Sequence, residues 1–554
     1  MKNPPRWLPT WLSSYQRGQL SGDLTAGLIV TVMLIPQSLA YAMLAGLPPE
    51  VGLYASILPL LAYAALGSSM TLAVGPVAVA SLMTASALQP LATPGSPEYV
   101  ALAIVLALLS GVMLLVFGFL RLGFLAQLLS HPVISGFITG SALLIAIGQT
   151  RHLLGLPAGG DHAIGQVWHL LTHLPQVEWV TASIGLGAVA LLLLMRRLLG
   201  THLLGKLAPM AVVILGTAAV AFWQLDQSAG VRIVGEVPAG LPMLGLSLPG
   251  WNATLALLLP ALLISLVGFV ESVSVAQSLA LKRRQRIEPN KELLGLGAAN
   301  VASALSGGYP VTGGFARSVV NFAAGAQTPL AGVISAAFMA GVLLGLTGWF
   351  HYLPHAVLAG TIVVAVLQLV DFQTLRQAWR YDRADALAFA ATAAGVLLLG
   401  VEAGILAGVA LSLGVLVWRS SRPHIAVIGR VPGTEHFRNV LRHQVETRPG
   451  LLALRVDENL FFANAALVEQ HIEGLLAADP SSRRVLLVCS GVNQIDTTAL
   501  DILTELEHRL AEQGIRLELA EVKGPVMDRL QRAPLGERLQ GRVYLSTHAA
   551  FLAD

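Results

Sequence analysis

Two charged residues stand alone in long apolar stretches. Arg317 is the only Lys, Arg, Asp or Glu between Leu293 and Val370, and Glu271 is the only one between Val237 and Leu281. Arg317 follows Gly313-Gly314-Phe315-Ala316, where two glycines open a short apolar helix. A helix that starts there exposes free backbone N–H groups and the positive end of its dipole, and both favour an anion. The adjacent guanidinium deepens that potential. The competing reading is a structural pairing of Arg317 with a carboxylate or with carbonyls, but charges at membrane depth are usually functional. Glu271 is the complementary case. An ionised carboxylate is expensive in hydrocarbon, so Glu271 is expected to hold a proton unless a cation such as Arg317 lies near. That is the behaviour of a proton carrier; a permanent ion pair with Arg317 is the alternative. Ser272 and Ser274 could add oxygen ligands for sodium, yet a lone carboxylate favours protons. Gln37, Tyr41 and Thr31 are uncharged candidates either for lining the same site or for plain helix–helix hydrogen bonds.

A second helix start reads Ala73-Val74-Gly75-Pro76-Val77-Ala78. Glycine permits close backbone approach, and proline in a first turn loses no helical hydrogen bond. A Gly-Pro kink in a packed helix is the plainer reading. Other motifs carry less. Gly200-Thr201-His202-Leu203-Leu204-Gly205-Lys206-Leu207 nearly matches a phosphate loop, but Leu207 replaces the Ser or Thr that binds Mg²⁺. The run joins two apolar stretches, so it is expected to be a loop and gives no support to an ATP-driven pump. His131 and the scattered loop histidines lack metal-ligand spacing. The single cysteine, Cys489, excludes an intrachain disulfide and a Cys-based zinc site. No metal or cofactor is expected.

The elements that must position these residues follow from composition. Of 554 residues, 55% are apolar and 12% charged, about half the charge of a typical soluble domain. Half of all Lys, Arg, Asp and Glu lie after Ser421, whereas residues 24–150 hold only Glu50, Glu98 and Arg121. This pattern predicts a membrane part followed by a water-soluble domain. Apolar stretches of spanning length fall near residues 24–45, 51–66, 99–119, 132–148, 180–195, 207–221, 254–281, 330–346, 356–370, 384–399 and 404–418. Shorter pieces near 71–87, 293–305 and 315–325 are rich in Gly, Pro, Ser and Thr. Such pieces are expected to be covered by protein or to line a wet cavity rather than face lipid. Counting them gives about fourteen spans. Basic clusters at Arg17, Arg121, Arg196-Arg197-Lys206, Lys282-Arg283-Arg284, Arg376-Arg380-Arg383 and Arg419 then all fall inside, with both termini in the cytoplasm. The loops near 92–98, 225–250 and 349–355 fall outside. No stripe of basic and aromatic residues suggests nucleic acid. The first apolar run reads as a retained span of a cell-membrane protein, not a cleaved signal peptide.

The first span also echoes the eighth. Ile35-Pro36-Gln37-Ser38 lies over Phe269-Val270-Glu271-Ser272, so that Gln37 falls on Glu271 and Ser38 on Ser272. An odd number of spans per half makes this an inverted repeat.

With these motifs in hand, the sequence resembles the sulfate permease (SulP) family of anion transporters. The run Pro48-Pro49-Glu50-Val51-Gly52-Leu53-Tyr54-Ala55-Ser56 is similar to that family's signature, Pro36-Gln37-Ser38-Leu39-Ala40-Tyr41-Ala42 to its first-span motif, and Val74-Gly75-Pro76-Val77-Ala78 to its third span. The resemblance covers nearly the whole chain. It implies an α-helical membrane protein with fourteen spans in two inverted repeats of seven (about 20–223 and 252–420), divided into core and gate domains. A small α/β STAS domain is implied to follow over about 437–554, on the cytoplasmic side of a homodimer. It also implies that Gly75, Pro76 and Val77 face Gly314, Phe315, Ala316 and Arg317, with the anion between two helix starts and Gln37 and Tyr41 beside it. Glu271 matches a carboxylate linked with proton coupling. Many relatives carry Ser-x-Ser-Arg-Ser where this chain has Gly314 and Ala316, so backbone takes more of the expected contact here.

The C-terminal region alternates strand patterns (451–456, 484–490, 516–519) with helix patterns (465–477, 497–513, 526–532), an α/β layer domain. Ile495-Asp496-Thr497-Thr498-Ala499 resembles the STAS segment in which Thr497 takes the place of a phosphorylatable serine; a helix-cap role for Thr497 is preferred here, with phosphorylation the alternative. Nothing here pairs a nucleophile with a base, so no enzyme is expected. The expected function is secondary active transport of a small inorganic or organic anion (sulfate, bicarbonate or dicarboxylate), by proton symport and alternating access in a lipid bilayer. Two rivals share the scaffold: a passive anion channel or exchanger, and a membrane-bound regulatory receptor.

Overall fold

A computed structural model describes residues 10–127, 130–157, 159–160, 162–199, 207–242, 245 and 250–553. The expected loop at 200–206 lies outside them. The chain divides into two compact units, Met1–Ser412 and Leu413–Asp554.

Among the described residues, eight helical stretches are long and apolar enough to cross a membrane: Arg17–Leu44, Pro49–Leu66, Pro97–Phe119, His131–Leu154, Trp179–Leu199, Trp251–Lys282, His355–Tyr381 and Val401–Ser420. Six shorter helices, Ala78–Leu88, Ala208–Trp223, Pro289–Leu305, Phe315–Ala323, Leu330–Gly345 and Arg383–Leu399, complete fourteen segments. Two of the short apolar pieces are short as expected, the third and tenth segments. The piece near 293–305 differs: it is one continuous helix, Pro289–Leu305, with Pro289 in its first turn and few breaks in its burial. Small residues there (Gly295, Gly297, Ala299) signal close packing rather than irregular backbone. Conversely the second segment is broken, with helices Pro49–Tyr54 and Leu58–Leu66 separated at Ala55–Ile57.

Packing displays the repeat. The first segment packs on the eleventh and tenth, and the eighth on the fourth and third. The second packs on the eleventh and the ninth on the fourth; the sixth packs on the twelfth and the thirteenth on the fifth. Each contact maps onto another when seven is added to or removed from both segment numbers. The repeats meet in a two-stranded antiparallel ribbon, β1 (Val74–Gly75) and β2 (Thr312–Gly313), with Val74 opposite Gly313 and Gly75 opposite Thr312. Each strand runs directly into a short helix, so the two helix starts are brought together at one place.

The second unit is a six-stranded sheet with helices. β3 (Ile425–Arg430), β4 (Phe437–Asn439), β5 (Leu451–Val456), β6 (Arg484–Val488), β7 (Arg516–Ala520) and β8 (Val543–Tyr544) lie in the order β4-β3-β5-β6-β7-β8. β5 to β8 pair in parallel, while β3 is antiparallel to both β4 and β5. The sheet therefore begins at Ile425, ahead of the start expected near 437. Helix Thr497–Glu512 buries Ala499, Leu503, Leu506 and Leu510, the i, i+4, i+7, i+11 stripe of an amphipathic helix. Its cap is Asp496, whose carboxylate accepts from the Ala499 N–H at 2.8 Å. Thr497 is thus not the cap but the first helical residue, and it is exposed.

Candidate functional site

The third segment begins after Val77 and the tenth after Gly314, and neither start is capped by a side chain. Their first N–H groups are therefore left for something else to satisfy. The ribbon fixes them: the Gly314 N–H donates to the Ala73 carbonyl at 3.0 Å. The Ser318 hydroxyl donates to the Gly314 carbonyl at 2.7 Å and accepts from the Ala73 N–H at 2.9 Å. On the other side of β2, the Ser272 hydroxyl accepts from the Gly313 N–H at 2.9 Å and lies 2.7 Å from Thr312 Oγ1.

Arg317 sits in the first turn of the tenth segment and is only 2% exposed. Its Nη1 donates to the Pro76 carbonyl at 2.6 Å and, at 3.4 Å, to Gln37 Oε1. Its Nε and Nη2 are buried with no hydrogen-bond partner. Leaving such groups unpaired is costly, so the guanidinium is half-satisfied in a way that an oxyanion would complete. Glycine makes the space. A Cβ on Gly314 would lie 3.0 Å from Arg317 Nη2, and one on Gly75 would lie 3.4 Å from it. Gly75 also has φ +152.

The structure thus brings Gly75, Pro76, Gly314, Arg317 and Gln37 together. Val77 is buried at the start of the third segment, whereas Phe315 and Ala316 are exposed beside Arg317. Tyr41 is buried one helical turn beyond Gln37, within the reach of Arg317's charge. Glu271 feels the same charge, yet among the described residues it forms neither an ion pair nor a hydrogen bond. The permanent Glu271–Arg317 bridge weighed from sequence is not formed.

Three candidate hydroxyls donate to carbonyls of their own helices. Thr31 donates to the Gly27 carbonyl of its own helix at 2.7 Å. Ser274 does the same with Val270, also at 2.7 Å, and Ser272 donates to the Gly268 carbonyl at 2.6 Å while accepting from the Gly313 N–H of β2 at 2.9 Å. Among the described residues no cluster of His, Cys, Asp or Glu has the makings of a metal site.

Sequence reasoning missed several supports. Asn300 clamps Val311 through both amide atoms at 2.9 Å, and Tyr309 Oη meets Ser81 Oγ at 3.0 Å. Buried Glu292 accepts from Tyr63 Oη at 2.7 Å, Ser68 N at 2.8 Å, Ser68 Oγ at 2.7 Å and Ser69 N at 2.9 Å. Buried Asp23 accepts from the Gln327 and Thr328 N–H groups at 2.6 and 3.0 Å. A carboxylate at an apolar helix end was the available signal for both.

Comparison with known proteins decides the family. Residues 20–392 match the sulfate permease family and residues 442–550 match the STAS domain. The chain belongs to the sulfate permease family. It is 36% identical over 545 residues to the probable sulfate transporter 4.2 of Arabidopsis thaliana, covering 95% of this chain and 80% of that one. It is 36% identical over 537 residues to the probable sulfate transporter Rv1739c of Mycobacterium tuberculosis, covering 96% and 95%. Among solved structures, SLC26A9 superposes with a TM-score of 0.90 at 23% identity, covering 98% of this chain and 91% of that chain. The transmembrane domain of a cyanobacterial bicarbonate transporter, BicA, aligns with a TM-score of 0.63 at 26% identity over 71% of this chain and 98% of that one. Like other sulfate permease family members, this multi-pass membrane protein is an anion transporter, not an enzyme.

Proposed function

We propose that this transporter carries a small oxyanion, sulfate foremost, by proton-coupled symport with alternating access. The observation that carries the reading is the buried Arg317 guanidinium, with Nε and Nη2 unpartnered between two uncapped helix starts. Oxyanions suit it because a guanidinium fork matches two oxygens at once, and because relatives at 36% identity are named sulfate transporters. In this reading Gly75, Pro76, Val77, Gly314, Phe315, Ala316 and Arg317 hold the anion, with Gln37 and Tyr41 at its side. Glu271 carries the proton: it stands near the same charge without a fixed partner, so it is free to gain and lose one.

In the same reading the protein is a homodimer with both termini and the STAS domain in the cytoplasm, and exposed Thr497 is a regulatory phosphorylation site. A phosphate there would sit at a helix N-terminus, where negative charge is favoured.

The test is uptake into proteoliposomes of labelled sulfate, bicarbonate and a dicarboxylate, with and without an inward proton gradient. Concentrative sulfate uptake that collapses with the gradient is expected. Uptake that only equilibrates sulfate, or that requires a counter-anion, would instead establish the channel or exchanger reading.

A further inference from the structure

We propose a second oxyanion site at the opposite end of the first span from the basic clusters, built by Arg151, Arg232, His152 and His355. It extends the transport reading above by giving the central site a place of first capture. A cavity of about 430 Å³ opens there, and its lining includes Arg151, His152, His355, Gln149 and Gln89. Arg232 joins Arg151, His152 and His355 around an adjoining smaller pocket. The part of the first span that lines the cavity, Ala40, Met43 and Leu44, begins within one turn of Gln37 and Tyr41. The cavity therefore stands over the central site along the same helix.

The chemistry of the lining is one-sided. Arg151 Nε donates to His152 Nε2 at 3.3 Å, and the two histidine rings are 6.4 Å apart, edge to face. The His355 N–H donates to the Arg232 carbonyl at 3.0 Å, which ties the loop that carries Arg232 to the start of the twelfth segment. Among the described residues neither arginine pairs with a carboxylate; Arg151 and His355 both feel the charge of Arg232, and His152 lies within reach of Arg151, His355 and Arg232. Glu178, beside Gly155 of the smaller pocket, accepts from Thr181 Oγ1 at 3.1 Å. Like charges gathered in a low-dielectric cleft repel one another but focus field on an incoming anion and raise its local concentration. The location sharpens the point. Arginines are scarce on the outer side of membrane proteins, so two converging on one pocket there call for a ligand. Two guanidiniums and two imidazoles suit an oxyanion with several acceptor oxygens better than a halide.

The test uses the full-length protein with sulfate as the probe. In liposomes, the Arg151→Gln/Arg232→Gln double variant should raise the half-saturating external sulfate about tenfold and weaken its dependence on ionic strength, with maximal rate little changed. The Arg151→Lys/Arg232→Lys pair should recover part of that loss at low salt, which a folding defect would not allow. Calorimetric titration of Arg317→Ala protein should show residual sulfate binding that weakens several-fold further when both Gln substitutions are added. Wild-type half-saturation in the double Gln variant, or Arg317→Ala binding indifferent to those substitutions, overturns the proposal. If the wild-type protein moved no oxyanion yet bound sulfate through Arg151 and Arg232, the transport reading would fail and this site would stand.

Discussion

Arg317 reaches across the repeat interface to Pro76: its Nη1 donates a 2.6 Å hydrogen bond to the Pro76 carbonyl. Residues 241 positions apart are thereby joined at the point where both short helices begin. The bond takes one nitrogen of the guanidinium and fixes the plane of the other two. The positive charge is consequently held in one orientation, which in the proposed binding mode leaves little reorganisation for an anion to impose.

Arg317→Ala removes that charge but spares the N–H groups of both helix starts. Hydrogen bonds to charged groups contribute about 1.5–3 kcal/mol, so sulfate affinity should fall about 10- to 150-fold. The helix ends retain a smaller attraction of about 0.3–2 kcal/mol, and some binding should persist. Calorimetric titration of purified, monodisperse protein checks this; wild-type affinity would refute the assignment. Arg317→Lys should recover charge but not the fork, leaving affinity between the two.

Gly314→Ala tests the space rather than the charge. The new Cβ would stand 3.0 Å from Arg317 Nη2 and 3.1 Å from Cζ, so the guanidinium must shift by a few tenths of an ångström. We expect a several-fold loss of sulfate affinity with an unchanged melting temperature, read by titration and by thermal unfolding of the same preparation. Unaltered affinity would mean that the fork need not be held where it lies.

The membrane segments were legible because hydropathy and the Gly-Pro and Gly-Gly breaks mark them directly, and because isolated charges such as Arg317 and Glu271 stand out against apolar surroundings. What escaped was decided by partners far away in sequence. Nothing local to Glu292 announces Tyr63 and Ser68, which lie more than 220 positions away. Ser272 was noticed as an oxygen near Glu271, but its commitment to β2 depends on residues forty positions on. Helix caps misled for a local reason: Asp496 and Thr497 are both good caps, and only the backbone turn selects the first. In the ninth segment the small residues marked burial but not continuity, because Gly and Ala suit a broken helix or a tightly packed one with the same composition.

Glu292 should matter to stability and not to selectivity. Its carboxylate satisfies four donors around the loop after the second segment. Glu292→Ala strands them where water is scarce, at about 1–3 kcal/mol for each buried group left unpaired. A lower melting temperature with an unchanged order of preference among sulfate, bicarbonate and dicarboxylate is expected. A changed preference would mean that Glu292 takes part in anion recognition.

Cys489 offers a readout of the STAS domain. Burial, aided by the charge of Glu521, pushes its thiol up to about 12. A raised pKa favours the protonated thiol in the folded state. Its contribution to stability is thus fully present below the unfolded value of about 8.5 and is lost as pH rises toward 12. Between pH 7 and 9 a maleimide should leave the native domain unlabelled and add one label in denaturant, since Cys489 is the only cysteine. Native labelling at the denatured rate would place the thiol at the surface.

Glu271 carries the sharpest test of coupling. An anion entering a low-dielectric site brings a charge that must be offset, and a nearby carboxylate can offset it by taking up a proton. In the proposed coupling, anion binding favours protonation of Glu271, and protonation favours anion binding by the same factor, because linkage is reciprocal. When the site empties, the charge of Arg317 favours release of the proton. The absence of an ion pair between the two residues among the described contacts leaves both states open to Glu271. Glu271→Gln fixes the neutral state. It should keep sulfate binding close to wild type and still allow exchange of labelled for unlabelled sulfate, while uptake driven by an inward proton gradient is lost. Glu271→Asp, which retains a titratable group, should keep some of that driven uptake. Paired exchange and gradient-driven uptake assays on the same vesicles separate these outcomes. Gradient-driven accumulation by the Gln variant at the wild-type level would remove Glu271 from the coupling path and move the search to another titratable group.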